Sequence, residues 1–168
     1  DFDTLIMNLT EGKGKIQGSA SGGIKKLRHW ANCFITTAEE NIIKYNSGGG
    51  TSNRIINIAA QSKIINDGHI TMQIIRDNYG FAGKKYIEYI KKLPLEQLKN
   101  RYDDLFAKLK DNTDSTDKQL MAMTFLLLSD ELSEQCIFKG EKPLSIENIK
   151  PFLTSQKEID NSERAYNW

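Results

Sequence analysis

The stretch that decides the expected fold is WANCFITT, residues 30–37. It is apolar and partly β-branched, and its polar positions do not alternate cleanly with apolar ones, which predicts a largely buried strand. A second β-branched run, RIINI at residues 54–58, follows a glycine turn and predicts another strand. A connection with a short helix, within residues 38–53, joins the two. Such a crossover is typical of parallel strands, so the sequence predicts part of an α/β fold for residues 1–60.

The remaining residues, 61–168, are expected to form a helical lobe. Apolar residues recur three and four positions apart in residues 70–79 and 83–93, and again after Pro94, which is favourable at a helix start. The segment from Lys118 to about Phe138 is apolar around most of its girth, which predicts the central helix of the lobe. Ser145 is placed to cap a short helix, and residues 160–163 to begin another. Ahead of both predicted strands, residues 2–9 are predicted to end a helix that Gly12 terminates.

Composition narrows the class of protein. The chain has 168 residues, 39% of them hydrophobic, with 23 Lys and Arg against 22 Asp and Glu. This length can bury a core without disulfides or metal ions, and the near-zero net charge excludes a strongly basic or acidic protein. No apolar stretch approaches the length of a membrane span, and Cys33 and Cys136 form no CxxC pair, so we expect a cytoplasmic protein with reduced thiols. The start at Asp1 rather than Met suggests a fragment of a longer protein.

The first candidate site is the segment GKGKIQGSASGGIKKLRHW, residues 12–30, which contains no Asp or Glu. Alternating Gly and Lys, followed by a Gly/Ser turn, predicts a flexible hairpin with basic residues on both arms. Sparse side chains let the backbone approach a phosphate chain, while the cations attract it without regard to sequence. The alternative is a solvated surface loop, since Lys is nearly always exposed. The basic residues are Lys13, Lys15, Lys25, Lys26 and Arg28.

The second candidate site lies at the end of the first predicted strand, at Thr36, Thr37 and Glu39. In open α/β sheets, ligands bind beyond the carboxyl ends of strands, where a hydroxyl can orient a water or a phosphate oxygen. The alternative is that Thr37 caps the following helix, with Glu39 and Glu40 favoured by its dipole. From the segment alone, the capping role is the stronger interpretation.

The third candidate is Arg54, which follows the glycine-rich residues 48–50. A guanidinium there can project outward as a planar fork suited to phosphate, or it can pair with a nearby carboxylate as an ordinary surface arginine. His29 and His69 lack partners at ligand spacing, so no metal site is expected. Cys33 lies in a predicted buried strand and is interpreted as a core residue rather than a nucleophile.

Together these features resemble one family. Along the chain, the features follow in this order: a basic Gly/Lys segment, a strand that begins at Trp30 and ends in Thr-Thr-Ala-Glu, a glycine stretch, and an arginine ahead of a second strand. It is similar to the C-terminal half of the AAA+ ATPase domain in replication helicases of bacterial mobile elements. These include phages, islands and staphylococcal cassette chromosomes, and the proteins are minichromosome-maintenance-like or third-superfamily-like. Residues 78–83, NYGFAG, and 163–166, ERAY, also fit, so the resemblance covers nearly the whole chain.

The resemblance implies a role for each candidate. The hairpin would enter the central pore of a ring and grip DNA through its lysines. Thr36, Thr37 and Glu39 would occupy the sensor-1 position, and Arg54 would be the arginine finger that reaches the ATP of a neighbouring subunit. The helical lobe would be the lid, with Arg164 as a sensor-2-like residue. ATP and Mg²⁺ would be bound mainly by residues upstream of Asp1, so this fragment alone is expected to be inactive.

The leading hypothesis is therefore a fragment of an ATP-dependent DNA helicase that acts as a ring oligomer, expected to be a hexamer, during replication of a mobile element. A second hypothesis is a non-catalytic nucleic-acid-binding module that uses the same basic hairpin. A third is a helical adaptor in which residues 84–168 present a groove to another protein. Only the helicase hypothesis and the nucleic-acid-binding hypothesis require the lysines of the hairpin.

Overall fold

The computed structural model describes residues 2–44, 47–60 and 62–165, with the backbone alone for 162–165. The described residues divide into two compact units, one formed by those up to 57 together with 156–165 and one by those between 58 and 155. The first unit holds helices α1 (Phe2–Thr10), α2 (Gly49–Ser52) and α8 (Gln156–Ala165). The second holds α3 (Gly68–Asp77), α4 (Phe81–Ile90), α5 (Leu95–Asn112), α6 (Asp117–Ser133), a π-helix (Glu134–Phe138), α7 (Ile146–Ile149) and a 3₁₀ turn (Lys150–Phe152).

The predicted α/β fold is wrong. Across the described ranges the structure has no strand or sheet, and backbone pairing is limited to isolated antiparallel bridges. Residues 30–37 and 55–58 have no regular secondary structure, and none of their apolar side chains is fully buried: Ile35 is 91% and Ile58 64% exposed, while Trp30, Ile55 and Ile56 are half-buried. A strand needs a neighbour to pair its amide and carbonyl groups and a layer to cover its face. Neither run has such a neighbour among the described residues, so β-branched composition alone does not make a sheet here.

The first unit packs around small side chains. The helix predicted before Gly12 is confirmed as α1, and the carboxylate of Asp3 on it accepts hydrogen bonds from Ser47 Oγ (3.4 Å) and the amide of Gly48 (3.3 Å). Helix α2 contacts both α1 and α8. Its Thr51 is 3% exposed, and Ile159 of α8 is 4% exposed. Small residues on α2 thus allow the close approach of the neighbouring helices.

The second unit has an aliphatic core, and the prediction of a central helix is confirmed. Helix α6 contacts α5, α4 and the π-helix, and it supplies most of the buried apolar side chains. Facing it from α5 are Leu105 and Leu109, the latter fully buried. Each such side chain contributes about 1.5–3 kcal/mol by leaving water. The buried apolar residues of α6 are Leu120, Met123, Leu127, Leu128 and Leu132.

Local sequence signals set the ends of several helices. The Asp67 carboxylate accepts from the amides of the first turn of α3, and the Thr116 hydroxyl accepts from the Gln119 amide at the start of α6. The cap predicted at Ser145 is confirmed, and Ser145 forms a capping box with Asn148 at the start of α7. Helix α8 begins at Gln156, four residues before its predicted start. No helix among the described residues has both the length and the hydropathy that a membrane crossing needs.

Candidate nucleic-acid interface

Residues 12–30 form an antiparallel hairpin. Bridges pair Lys13 with His29 and Gly18 with Ile24, and both bridges share one register. Backbone hydrogen bonds run from Gly14 to Arg28 (2.8 Å) near the base and from Lys25 to Gln17 (2.9 Å) near the tip. The hairpin geometry expected from the sequence is therefore confirmed, although the pairing is too sparse to form a ladder of regular strands.

The base of the hairpin is fixed to the end of α1. The indole N–H of Trp30 donates to the carbonyl of Leu9 (2.8 Å), one of the last-turn carbonyls that a helix leaves without an intrahelical partner. The Trp30 amide donates to the carbonyl of Gly12 (2.9 Å). Gly12 has φ +68°, and a Cβ on it would lie 2.8 Å from the Trp30 carbonyl oxygen, so only glycine fits there. Sequence analysis missed this anchoring role of Trp30.

The tip of the hairpin is a glycine turn. The Ser19 amide donates to Gly23 (2.9 Å), and the Gly22 amide donates back to Ser19 (3.1 Å). Gly22 and Gly23 both have φ +85°, a region that side chains with a Cβ rarely adopt. Just behind the turn, Ile16 and Ile24 are each 73% exposed. The tip thus presents backbone and two apolar side chains to the surroundings.

The arms carry the positive charge. Lys13 pairs with Glu11 at 3.8 Å, an exposed contact that salt screens. The other four cations are exposed, and no carboxylate of the described residues forms an ion pair with them. They are Lys15, Lys25, Lys26 and Arg28. The hairpin is therefore an exposed arm whose positive charge is mostly uncompensated within its own segment.

The residues predicted at the sensor position are not joined to this arm. Thr36, Thr37 and Glu39 lie in irregular, exposed backbone, and the adjacent Glu40 pairs with Lys44 at 3.7 Å. Helix α2 begins only at Gly49, so Thr37 does not cap a helix either. Cys33, predicted to be in the core, is exposed, because the strand that would have buried it does not form.

Arg54 turns back on its own segment. Its Nη1 donates to the carbonyl of Gly50 (2.7 Å), and the residue is half-buried. The neighbouring Met7 Sδ lies 3.7 Å from the point where a Cβ on Gly50 would stand. One of the five guanidinium donors is thereby used inside the first unit. The hydrogen bond joins the Arg54 side chain to α2, so the side chain does not extend into solvent.

The remaining candidates add no ligand site. The Arg164 side chain lies outside the described residues. Among those that are described, no three His, Cys, Asp or Glu side chains converge as a metal site would require. His29 is in the hairpin, across from Lys13. The hairpin is thus the one sequence-predicted site whose members the structure brings together.

No protein-family model, no curated protein and no solved structure matches this chain.

Proposed function

We propose that the protein binds nucleic acid through the basic hairpin, residues 12–30. The supporting observation is the antiparallel arm itself, with exposed cations on both sides and Trp30 anchoring its base to α1. Because the chain as a whole carries a formal charge of only +1, the positive charge is a local feature of this arm and not a property of the entire surface. A polyanion would be attracted to the arm in particular.

The geometry favours contact with the phosphate backbone over readout of bases. Lysines at the hairpin arms act as point charges without a planar fork, and Arg28 is the only guanidinium on it. Gly18, Gly22 and Gly23, where a Cβ would meet nothing within 4 Å, leave room for a nucleic-acid strand to lie against the hairpin backbone. The exposed Ile16 and Ile24 can rest on unstacked bases or sugars. We therefore propose binding with little sequence preference and a strong dependence on salt.

We further propose, from the resemblance of the sequence, that this contact serves an ATP-dependent replicative DNA helicase of a mobile element, working as a ring oligomer in the cytoplasm. The basic hairpin supports this proposal, since it is the part that would grip DNA. We assign no nucleotide-sensing role to Thr36, Thr37 or Glu39 and no finger role to Arg54, because those roles depend on a sheet that the described residues do not form. DNA-stimulated ATP hydrolysis by the full-length protein tests the helicase proposal. If the protein binds DNA but does not hydrolyse ATP, it is the non-catalytic nucleic-acid-binding module instead.

The binding proposal is tested by removing the charge and keeping the fold. Four lysines are changed to glutamine together, and binding to a labelled single-stranded oligonucleotide is followed by fluorescence anisotropy at several salt concentrations. Affinity should fall, and the slope of log K against log salt should decrease by about 3, since each lost phosphate contact on a single strand removes about 0.7. The four positions are Lys13, Lys15, Lys25 and Lys26.

A matched control removes the same charge from the other unit. It changes four exposed lysines on and just after α4 to glutamine and should leave the salt slope as it was. If both quadruple variants lose affinity equally, the attraction is a general charge effect and the hairpin is a solvated loop. The control positions are Lys84, Lys85, Lys91 and Lys92.

A further inference from the structure

The first two helices of the second unit leave a large apolar surface uncovered. Helix α3 has no buried residue, and its four large apolar side chains are each 52–64% exposed. The turn into α4 adds Tyr79, 84% exposed, and Phe81 follows it, 72% exposed. Exposed apolar surface that is rimmed by polar residues marks a site of contact with a protein or a membrane. The four side chains of α3 are Ile70, Met72, Ile74 and Ile75.

The apolar side chains of α3 are spread over more than half of its circumference. Successive residues of a helix are turned by about 100°, so Ile70 and Met72 lie about 200° apart, with Ile75 between them. A groove on a partner protein covers one stripe of a helix, with anchors three and four residues apart. A lipid layer has no fixed shape and can close around the whole apolar arc. The remaining arc is a polar strip formed by His69, Gln73, Arg76 and Asp77.

Helix α4 adds positive charge to this surface. Its inner side is fixed to the second unit, since the Tyr86 hydroxyl donates to the Ser129 carbonyl (3.4 Å) and the Tyr89 hydroxyl to Gln135 (2.8 Å). Four exposed lysines lie on and just after the helix, against the single carboxylate of Glu88. The ion pairs of the described residues leave all four lysines out. They are Lys84, Lys85, Lys91 and Lys92.

This charge selects among the possible occupants of the α3–α4 surface, residues 68–92. Two copies that met through it in a two-fold dimer would place four lysines against four lysines, which is unfavourable. An anionic phospholipid surface supplies the opposite charge, and each lysine near such a surface strengthens binding by about fivefold. Helices α3 and α4 have 10 residues each, too few to cross a bilayer, so they would lie along its surface.

We propose that the α3–α4 surface binds the anionic face of a phospholipid bilayer. The apolar side chains of α3 and Phe81 enter the boundary between headgroups and acyl chains, and the four lysines contact the phosphates. Tyr79 suits the headgroup level, because its ring is apolar and its hydroxyl is polar. The polar strip of α3 stays in water. This surface is separate from the basic hairpin and does not depend on nucleic-acid binding.

Sedimentation of the full chain with lipid vesicles tests the proposal. Vesicles of phosphatidylcholine mixed with phosphatidylserine should bind the protein at least about tenfold more strongly than vesicles of phosphatidylcholine alone, and added salt should weaken the binding. No binding to the phosphatidylserine vesicles, or equal binding to both kinds, would overturn the proposal. Self-association of the chain without vesicle binding would assign the surface to a second copy instead.

Two quadruple lysine variants separate lipid binding from nucleic-acid binding. Changing the four lysines of the α3–α4 surface to glutamine should weaken binding to phosphatidylserine vesicles by about tenfold or more and leave oligonucleotide binding unchanged. The hairpin variant should do the opposite. Equal losses of vesicle binding in the two variants would show a general charge effect and contradict the assignment. The hairpin positions are Lys13, Lys15, Lys25 and Lys26.

A second pair of variants tests the apolar part of the surface. Ile74→Gln combined with Ile75→Gln keeps the charge and, since neither side chain is buried, should keep the fold by circular dichroism. It should weaken vesicle binding by about tenfold or more, because two aliphatic side chains no longer enter the lipid. Ile16→Gln combined with Ile24→Gln is the matched control in the hairpin and should leave vesicle binding unchanged. Equal effects of the two double variants would refute the role of α3.

Discussion

The two units are held together in different ways. The second unit buries large apolar side chains, with Leu109 0% and Met123 1% exposed. In the first unit, Thr51 and Ser52 are buried, and Ile159 is the one large aliphatic side chain buried among its described residues. The order of the hairpin comes from backbone hydrogen bonds and glycine geometry. The comparison teaches that burial specifies the helical unit, whereas close backbone contacts specify the unit that carries the basic arm.

The largest effect is expected where burial is greatest. Leu109→Ala should lower the free energy of unfolding by about 2–5 kcal/mol, because it removes buried methyl groups and leaves a cavity between α5 and α6. Urea denaturation followed by circular dichroism measures this loss. A loss below about 1 kcal/mol would mean that the α5–α6 interface can collapse around the smaller side chain.

The matched change in the first unit is Phe34→Ala, in the run that was predicted to be a buried strand. Phe34 is 46% exposed in irregular backbone, so this substitution should change the free energy of unfolding by no more than about 0.5 kcal/mol. A loss as large as that at Leu109 would show that residues 30–37 are buried after all and would remove the contrast between the units.

The contrast between the two units also explains which secondary-structure elements could be predicted from the sequence. Helix α5 was predictable because its apolar residues repeat with the period of a helix, and α6 because it is apolar around most of its girth. Each helix carries its pattern by itself. The capping box at Ser145 and the end of α1 before Gly12 are likewise signals between close neighbours in sequence. A strand is different, because residues 30–37 become one only if another segment pairs with them. Single-sequence patterns do not contain that partner.

The same reasoning applies to the sites. The basic hairpin was predictable, since alternating Gly and Lys around a glycine turn specify both its shape and its charge. The bond from Trp30 to Leu9 joins residues 21 positions apart and has no signature in the sequence. The α3–α4 surface was also missed, because the period of its apolar residues predicts helices without showing which of their faces other helices cover.

A medium effect is expected at the base of the hairpin. Gly12→Ala should destabilise the base locally by about 1–2 kcal/mol, because alanine pays a steric cost at φ +68° and its Cβ would overlap the Trp30 carbonyl. Faster hydrogen exchange of the Trp30 indole N–H, measured by NMR, reports this opening. Gly18→Ala is the matched control, since nothing lies within 4 Å of a Cβ there. Equal exchange in the two variants would mean that backbone geometry does not hold the first unit's arm in place.

The smallest effect is expected at Glu134. The second unit otherwise buries mainly apolar side chains, but here it buries a carboxylate oxygen that has no hydrogen-bond donor among the described residues. The pKa of Glu134 is raised in the folded state by burial and by Glu141 and Asp130, so the unfolded chain releases this proton first as the pH rises. Between the ordinary glutamate pKa and the raised one, the folded state binds more protons, and stability decreases with pH. Glu134→Gln should therefore raise the melting temperature slightly at about pH 7 and have little effect at about pH 3, where the carboxyl is protonated in both states. A melting temperature that falls at neutral pH would show that the ionised carboxylate has a stabilising partner in the folded state.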